Sequence, residues 1–126
     1  MAIKIFVTRH FDRAARKAGL DDRVLLDAVM RAERGLVDAN LGHCLIKQRI
    51  ARPGQGRSGG YRTIIVYRKG DLAVFIFAYS KADQDNLSDR ERVSLQSFAE
   101  SFARFSPAEI EQLVIERNWR QVYAIH

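Results

Sequence analysis

The chain opens on Ile3 to Val7 (IKIFV), a short run of β-branched and aromatic residues that predicts a first strand. The period then lengthens. Phe11, Ala14, Ala15 and Ala18 recur at helical spacing behind Thr8, a capping residue, and Gly19 marks the stop. Asp21 and Asp22 put negative charge at the start of a second helix, where the helix dipole favours it. Leu25, Ala28, Val29, Ala32 and Leu36 form its apolar stripe, which ends near Gly35. An αα-hairpin therefore follows the first strand.

Beyond Leu41 the alternation is that of a strand, with Cys44, Ile46 and Ile50 on one side and His43, Leu45, Lys47 and Arg49 on the other. Arg52 to Gly60 (RPGQGRSGG) is too rich in glycine and proline for regular structure and predicts a basic loop. Tyr61 to Arg68 is the next strand, Lys69-Gly70-Asp71 a tight turn, and Leu72 to Ser80 (LAVFIFAYS) is apolar on both faces, as a covered central strand must be. These three strands form an antiparallel meander. Ser88 with Glu91 makes a capping box for a helix whose face carries Leu95, Phe98, Phe102 and Phe105, beside Ala99 and Ala103. Ser106-Pro107-Ala108-Glu109 starts a last helix with Ile110, Leu113 and Val114 inward. Residues 118–126 fit a short strand or a frayed tail. The order β-α-α-β-β-β-α-α predicts an α+β fold, helices packed on a twisted antiparallel sheet, and 126 residues correspond to one domain, 1–126.

Charge adds a feature that periodicity does not show. Between Ala39 and Gly70 there is no Asp or Glu, yet Lys47, Arg49, Arg52, Arg57, Arg62, Arg68 and Lys69 all fall there. The other residues hold 14 basic against 15 acidic groups, so the net charge of +6 arises from this segment alone. A focused positive field over a near-neutral remainder points to a polyanion, and the Arg fork matches phosphate oxygens. The plainer alternative is a solvated basic hairpin. Cys44 is the one cysteine, which excludes an internal disulfide and fits a reducing compartment. Met1 to Val7 is too short and polar for a signal peptide and no apolar run is long enough to span a membrane, so the expected location is the cytoplasm.

The motifs of several chemistries are missing. His10, His43 and His126 lack metal-ligand spacing, and Gly54, Gly56 and Gly59 are not followed by a helix as a dinucleotide-binding turn requires. No metal or cofactor is expected. A concave basic face with Arg, Lys and Tyr suffices for one reaction, cleavage of RNA by its own 2′-hydroxyl. That needs a proton acceptor, a cation for the pentacoordinate phosphorus and an acid for the leaving oxygen. Tyr79 and Lys81 share a strand face with Phe75 and Phe77, and Arg62 starts the neighbouring antiparallel strand, so all three meet at one sheet edge under the loop that carries Arg52 and Arg57. Each has a structural alternative: Tyr79 as a core aromatic, Lys81 as a turn residue, Lys47 and Arg49 as a solvated face, and Arg62 paired with Asp83 or Asp85. Tyr61, Tyr67 and Trp119 read as core or rim aromatics.

Gly56-Arg57-Ser58-Gly59-Gly60-Tyr61-Arg62, the strand end Tyr67-Arg68-Lys69-Gly70-Asp71, and Tyr79-Ser80-Lys81 followed by Asn86-Leu87-Ser88 and Glu91 together resemble the RelE-like toxins of bacterial type II toxin–antitoxin modules, in the branch near HigB-type toxins. The resemblance is specific from about Lys47 to Leu95. It implies a metal-independent mRNA interferase that enters the ribosomal A site, and a cognate antitoxin that covers the basic face, in a homodimer or a toxin–antitoxin hetero-oligomer. Carried over by position, the phosphate-stabilising arginine falls on Arg62, the preceding basic strand on Lys47 and Arg49, and the Tyr/basic pair on Tyr79 and Lys81. Arg49, Arg52, Arg57, Arg68 and Lys69 are the expected phosphate contacts. There is no histidine near the last strand of the meander, which leaves base and acid unassigned. The extension past Phe105, about 106–126, exceeds a minimal toxin and is available for dimerisation or antitoxin contact. The alternatives are a gyrase-inhibiting ParE-type toxin and a non-catalytic RNA-binding module.

Overall fold

The computed structural model describes residues 3–51 and 60–123. In chain order they form β1 (Lys4–Val7), α1 (Arg9–Ala18), α2 (Asp22–Glu33), β2 (Ala39–Gly42), β3 (Leu45–Ile50), β4 (Tyr61–Arg68), β5 (Leu72–Ser80), α3 (Asp89–Phe102), α4 (Pro107–Arg117) and β6 (Arg120–Val122). The strands make one six-stranded sheet in the order β2-β3-β4-β5-β1-β6. The helix signals in the sequence act as expected. Thr8 and Asp21 cap α1 and α2 through their side-chain oxygens, Gly19 ends α1 at φ 72°, and Ser88 and Ser106 each close a capping box, with Glu91 and Glu109.

The sheet divides two cores. On one face α1 and α2 bring Phe11, Ala15, Leu25, Ala28, Val29 and Ala32 against Ile46, Ile50, Ile65 and Phe75. On the other, α3 and α4 bring Ala99 and Ile110, with Trp119, against Leu45, Ile64, Val66, Val74 and Ile76. A sheet covered on both faces is why β5 is apolar throughout. None of the described helices is long and apolar enough to cross a membrane.

Tertiary packing changes the expected arrangement in several places. The sheet is mixed rather than antiparallel, because β1 inserts parallel to β5, pairing Val7 with Phe75, and is antiparallel to β6. Ile5, Phe6 and Val7 are all buried, so an interior position satisfies both of their faces. Two short strands extend the predicted order: β2, which pairs with β3, and β6, the short-strand option for residues 118–126. His43 and Cys44 do not lie in β3. They form a turn with φ of 55° and 62°, and Cys44 is exposed. α2 stops at Glu33, so Leu36 is exposed and Arg31 is buried instead. Phe105 lies past the end of α3, and the Phe102 side chain is outside the described set.

Residues 106–122 are built into the domain by Ile110, Trp119 and Val122 and by one ion-pair cluster. Arg120 reaches from β6 to Asp12 in α1 and Asp22 in α2, its Nη1 and Nη2 each donating to Asp22 at 2.8 Å. The Arg120 hydrogen bonds hold the Asp22 carboxyl below the usual carboxylate range. A lowered carboxylate pKa stabilises the fold above the unfolded value and loses that stability as pH falls through the folded value. Asp22→Asn, which has no carboxylate to titrate, should therefore leave β6 looser already at neutral pH and flatten the acid dependence seen in the native chain. Hydrogen exchange of the β6 amides against pH reads this directly, and identical profiles would show that the cluster does not hold the strand.

Candidate active site

On the α3 face, three strands align basic and aromatic side chains in two cross-strand rows. Arg49 of β3 stands opposite Arg62 of β4, which stands opposite Tyr79 of β5. One step along, Lys47, Ile64 and Phe77 make the second row. Ordinary alternation places Lys47 and Arg49 with buried Leu45, as the sequence predicts. In β5 it does not hold. The register shifts between Ile64 and Ile65, whose partners are Phe77 and Phe75, so Ile76 is an extra residue. This bulge turns Phe75 toward α1 and α2 while Phe77 and Tyr79 face α3. Tyr79 thus shares a face with Phe77 but not, as expected, with Phe75.

The surrounding elements fix the rows. Gln48, fully buried, donates to the carbonyls of Ala28 and Leu36 and accepts from the Asp38 amide. Arg31 donates to the Arg49 carbonyl at 2.6 Å, and the Arg49 amide donates to Asp38 at 2.7 Å. The β3 backbone is therefore held from the α2 side, leaving the Lys47 and Arg49 side chains on the other. Arg62 is 6% exposed and donates to the Gly60 carbonyl, which also accepts from the Lys81 amide. Asp83 is engaged by the Ser80 hydroxyl at 2.7 Å. Lys47 Nζ donates to Asn86 at 3.4 Å, in the segment that leads to the α3 capping box.

Electrostatics separate the two titratable members. Burial lowers the Lys47 pKa first, and the cations of Arg62, Arg49 and Arg92 lower it further. Burial raises that of Tyr79, with Arg62 opposing and Glu91 adding to the rise. The Tyr79 hydroxyl is buried with no hydrogen-bond partner among the described residues. A buried hydroxyl left unpaired is costly, and an incoming acceptor would satisfy it. The site thus holds an ammonium biased toward its neutral form beside a phenol biased toward its protonated form.

Of the residues expected from the sequence, Lys47, Arg49, Arg62 and Tyr79 come together. Lys81 follows β5, its side chain exposed at the mouth near Gly60. Arg68 and Lys69 are at the opposite end of β4. There Arg68 donates to the carbonyls of Ala103 and Phe105 and pairs with Asp71, work that ties the α3–α4 connection to the sheet. Arg52 and Arg57 lie outside the described residues. Tyr67 donates to Glu33 and Trp119 is buried in the second core, in keeping with a packing role for both. Arg92 is not among the residues the sequence pointed to, and Asn86 enters there only within the Asn86-Leu87-Ser88 string, without a role. The signal for them was the capping box itself, which fixes the first turn of α3, where exposed Arg92 is close enough to Lys47 to lower its pKa. Among the described residues no group of three or more His, Cys, Asp and Glu side chains could hold a metal ion.

The described residues thus form an α+β fold whose six-stranded mixed sheet carries a basic row on the α3 face. Over residues 3–122 the chain matches the family described as the RelE toxin of the RelE/RelB toxin–antitoxin system, and it belongs to that family. It is therefore a RelE-type toxin, a component of a toxin–antitoxin pair whose partner is an antitoxin of the RelB type. A comparison with curated proteins finds no match.

Proposed function

We propose that this toxin is an endoribonuclease that cuts translated messages in the ribosomal A site through the RNA 2′-hydroxyl, without a metal. The observation that carries the reading is the Arg49–Arg62–Tyr79 row with Lys47 beside it. In this mechanism Lys47, in its neutral form, takes the 2′-hydroxyl proton, and the oxygen attacks the adjacent phosphorus. Arg62, aided by Arg49, stabilises the added negative charge, which a low-dielectric, preorganised cation does effectively. Tyr79 keeps its proton and donates it toward the phosphate or the leaving 5′-oxygen, releasing a 2′,3′-cyclic phosphate. Lys81 extends the phosphate track at the mouth, and Arg52 and Arg57 are proposed as further phosphate contacts on sequence grounds. Arg68 and Lys69 contribute to the long-range field only.

The test is primer extension on a defined message in a purified translation system. The expected result is cuts inside A-site codons on programmed ribosomes and none on the free message. With ribosomes, message and toxin already assembled, excess EDTA should leave the cutting intact, and cleavage restored only by a transition metal would overturn the metal-independent step. An intact message with loss of gyrase supercoiling would replace the reading with a ParE-type one.

A further inference from the structure

Beside the two rows, where the start of α1 meets β5, α3 and the end of α4, lies a cavity of about 400 Å³. That is the size range of small-molecule sites. His10, Phe77, Phe98 and Trp119 give it aromatic walls, Arg9 and Arg117 give it cations, and no acidic residue lines it. His10 is exposed, yet its ring lies within 4° of parallel to that of Phe77, with centroids 6.5 Å apart. Near-parallel rings at this separation are an offset-stacked pair, and they offer a planar ligand ring an aromatic surface at the cavity wall. Phe77 is two residues from Tyr79, and its cross-strand neighbour Ile64 is two residues from Arg62. The cavity is thus about 7 Å along the sheet from the Arg62 row.

We infer that this cavity seats one nucleobase of the bound RNA, stacked on the aromatic wall that His10 and Phe77 form, with Arg9 and Arg117 on the flanking phosphates. The inference rests on the ribonuclease reading and adds a subsite to it. A base held there fixes the register of the strand over Arg62, so its fit influences which phosphate is cut. The bulge that turns Phe77 to this face builds both the seat and the catalytic row.

Trp119 is the chain's one tryptophan and lines the cavity, so its emission reports occupancy. The probes are trinucleotides with 2′-O-methyl groups, which cannot be cut, and an abasic trinucleotide with the same phosphates. The base-bearing probes should shift the emission saturably and bind more tightly than the abasic one. His10→Ala should weaken them roughly 5- to 100-fold, the range for loss of one base–aromatic stack. His10→Phe should restore binding. Equal affinity for the abasic probe, or no effect of His10→Ala, would overturn the seat. A Trp119 response to the antitoxin alone would instead assign the cavity to protein docking, which also overturns it. The assay involves no cleavage, so a failed seat with intact primer-extension cuts leaves the nuclease reading standing. Base binding without cuts would have the reverse meaning.

Discussion

Arg62→Ala is expected to lower message cleavage roughly 10²–10³-fold and to leave the fold in place. The guanidinium is almost fully buried in a row that also contains Arg49, and it presses on Lys47 electrostatically. An anionic phosphate placed there would meet a preorganised cation. Truncation should therefore remove activity while the melting temperature stays near the native value. Arg62→Lys keeps the charge but not the planar fork, and should recover only part of the rate. Single-turnover cleavage on programmed ribosomes, paired with thermal melts, separates the outcomes. A variant that melts early would mark Arg62 as structural, and one that cuts at the native rate would remove it from the mechanism.

Lys47→Met should cost a comparable factor, about 10²–10⁴, the usual contribution of a general base. Its pH behaviour is more diagnostic. The Lys47 pKa is lowered from 10.5, chiefly by burial and then by Arg62, Arg49 and Arg92. In the proposed mechanism the neutral amine is the base, so the native rate is expected to rise with pH and level off below 10.5. Stability follows the same window: the unfolded chain binds this proton more tightly, so the penalty for the partly desolvated ammonium is present at neutral pH. It is relieved as pH rises from the lowered folded value toward 10.5. Lys47→Arg retains the cation and cannot deprotonate, so it should be slow at every pH with no alkaline rise. Native-like cleavage by Lys47→Arg would show that position 47 needs only charge, and the base would have to be sought elsewhere.

Local signals in the sequence had local causes and carried through. Thr8, Gly19, Asp21, Ser88 and Ser106 act on backbone groups within a turn of themselves, so no tertiary information was required to place α1, α2, α3 and α4. The β3–β4–β5 meander followed from alternation and from turn chemistry at Lys69-Gly70-Asp71 for the same reason. The opposition of Arg62 and Tyr79 was legible too, because a hairpin fixes which ends meet.

What depended on distant packing was not legible. β1 joins β5 across some seventy residues of sequence, and only the gain from burying both its faces selects a parallel interior place over an antiparallel edge. The bulge at Ile76 is a one-residue insertion in the ladder, invisible in an unbroken apolar run, yet it decides which side of the sheet Phe75, Phe77 and Tyr79 face. The charge-free-of-acid stretch 39–70 identified seven cations as a group but not their division. The fold spends Arg68 on the carbonyls beyond α3 and keeps Lys47, Arg49 and Arg62 together. Backbone periodicity assigns a residue to a strand. Its neighbours across the sheet, and hence its pKa and its chemistry, are set by register, which only the assembled tertiary structure determines.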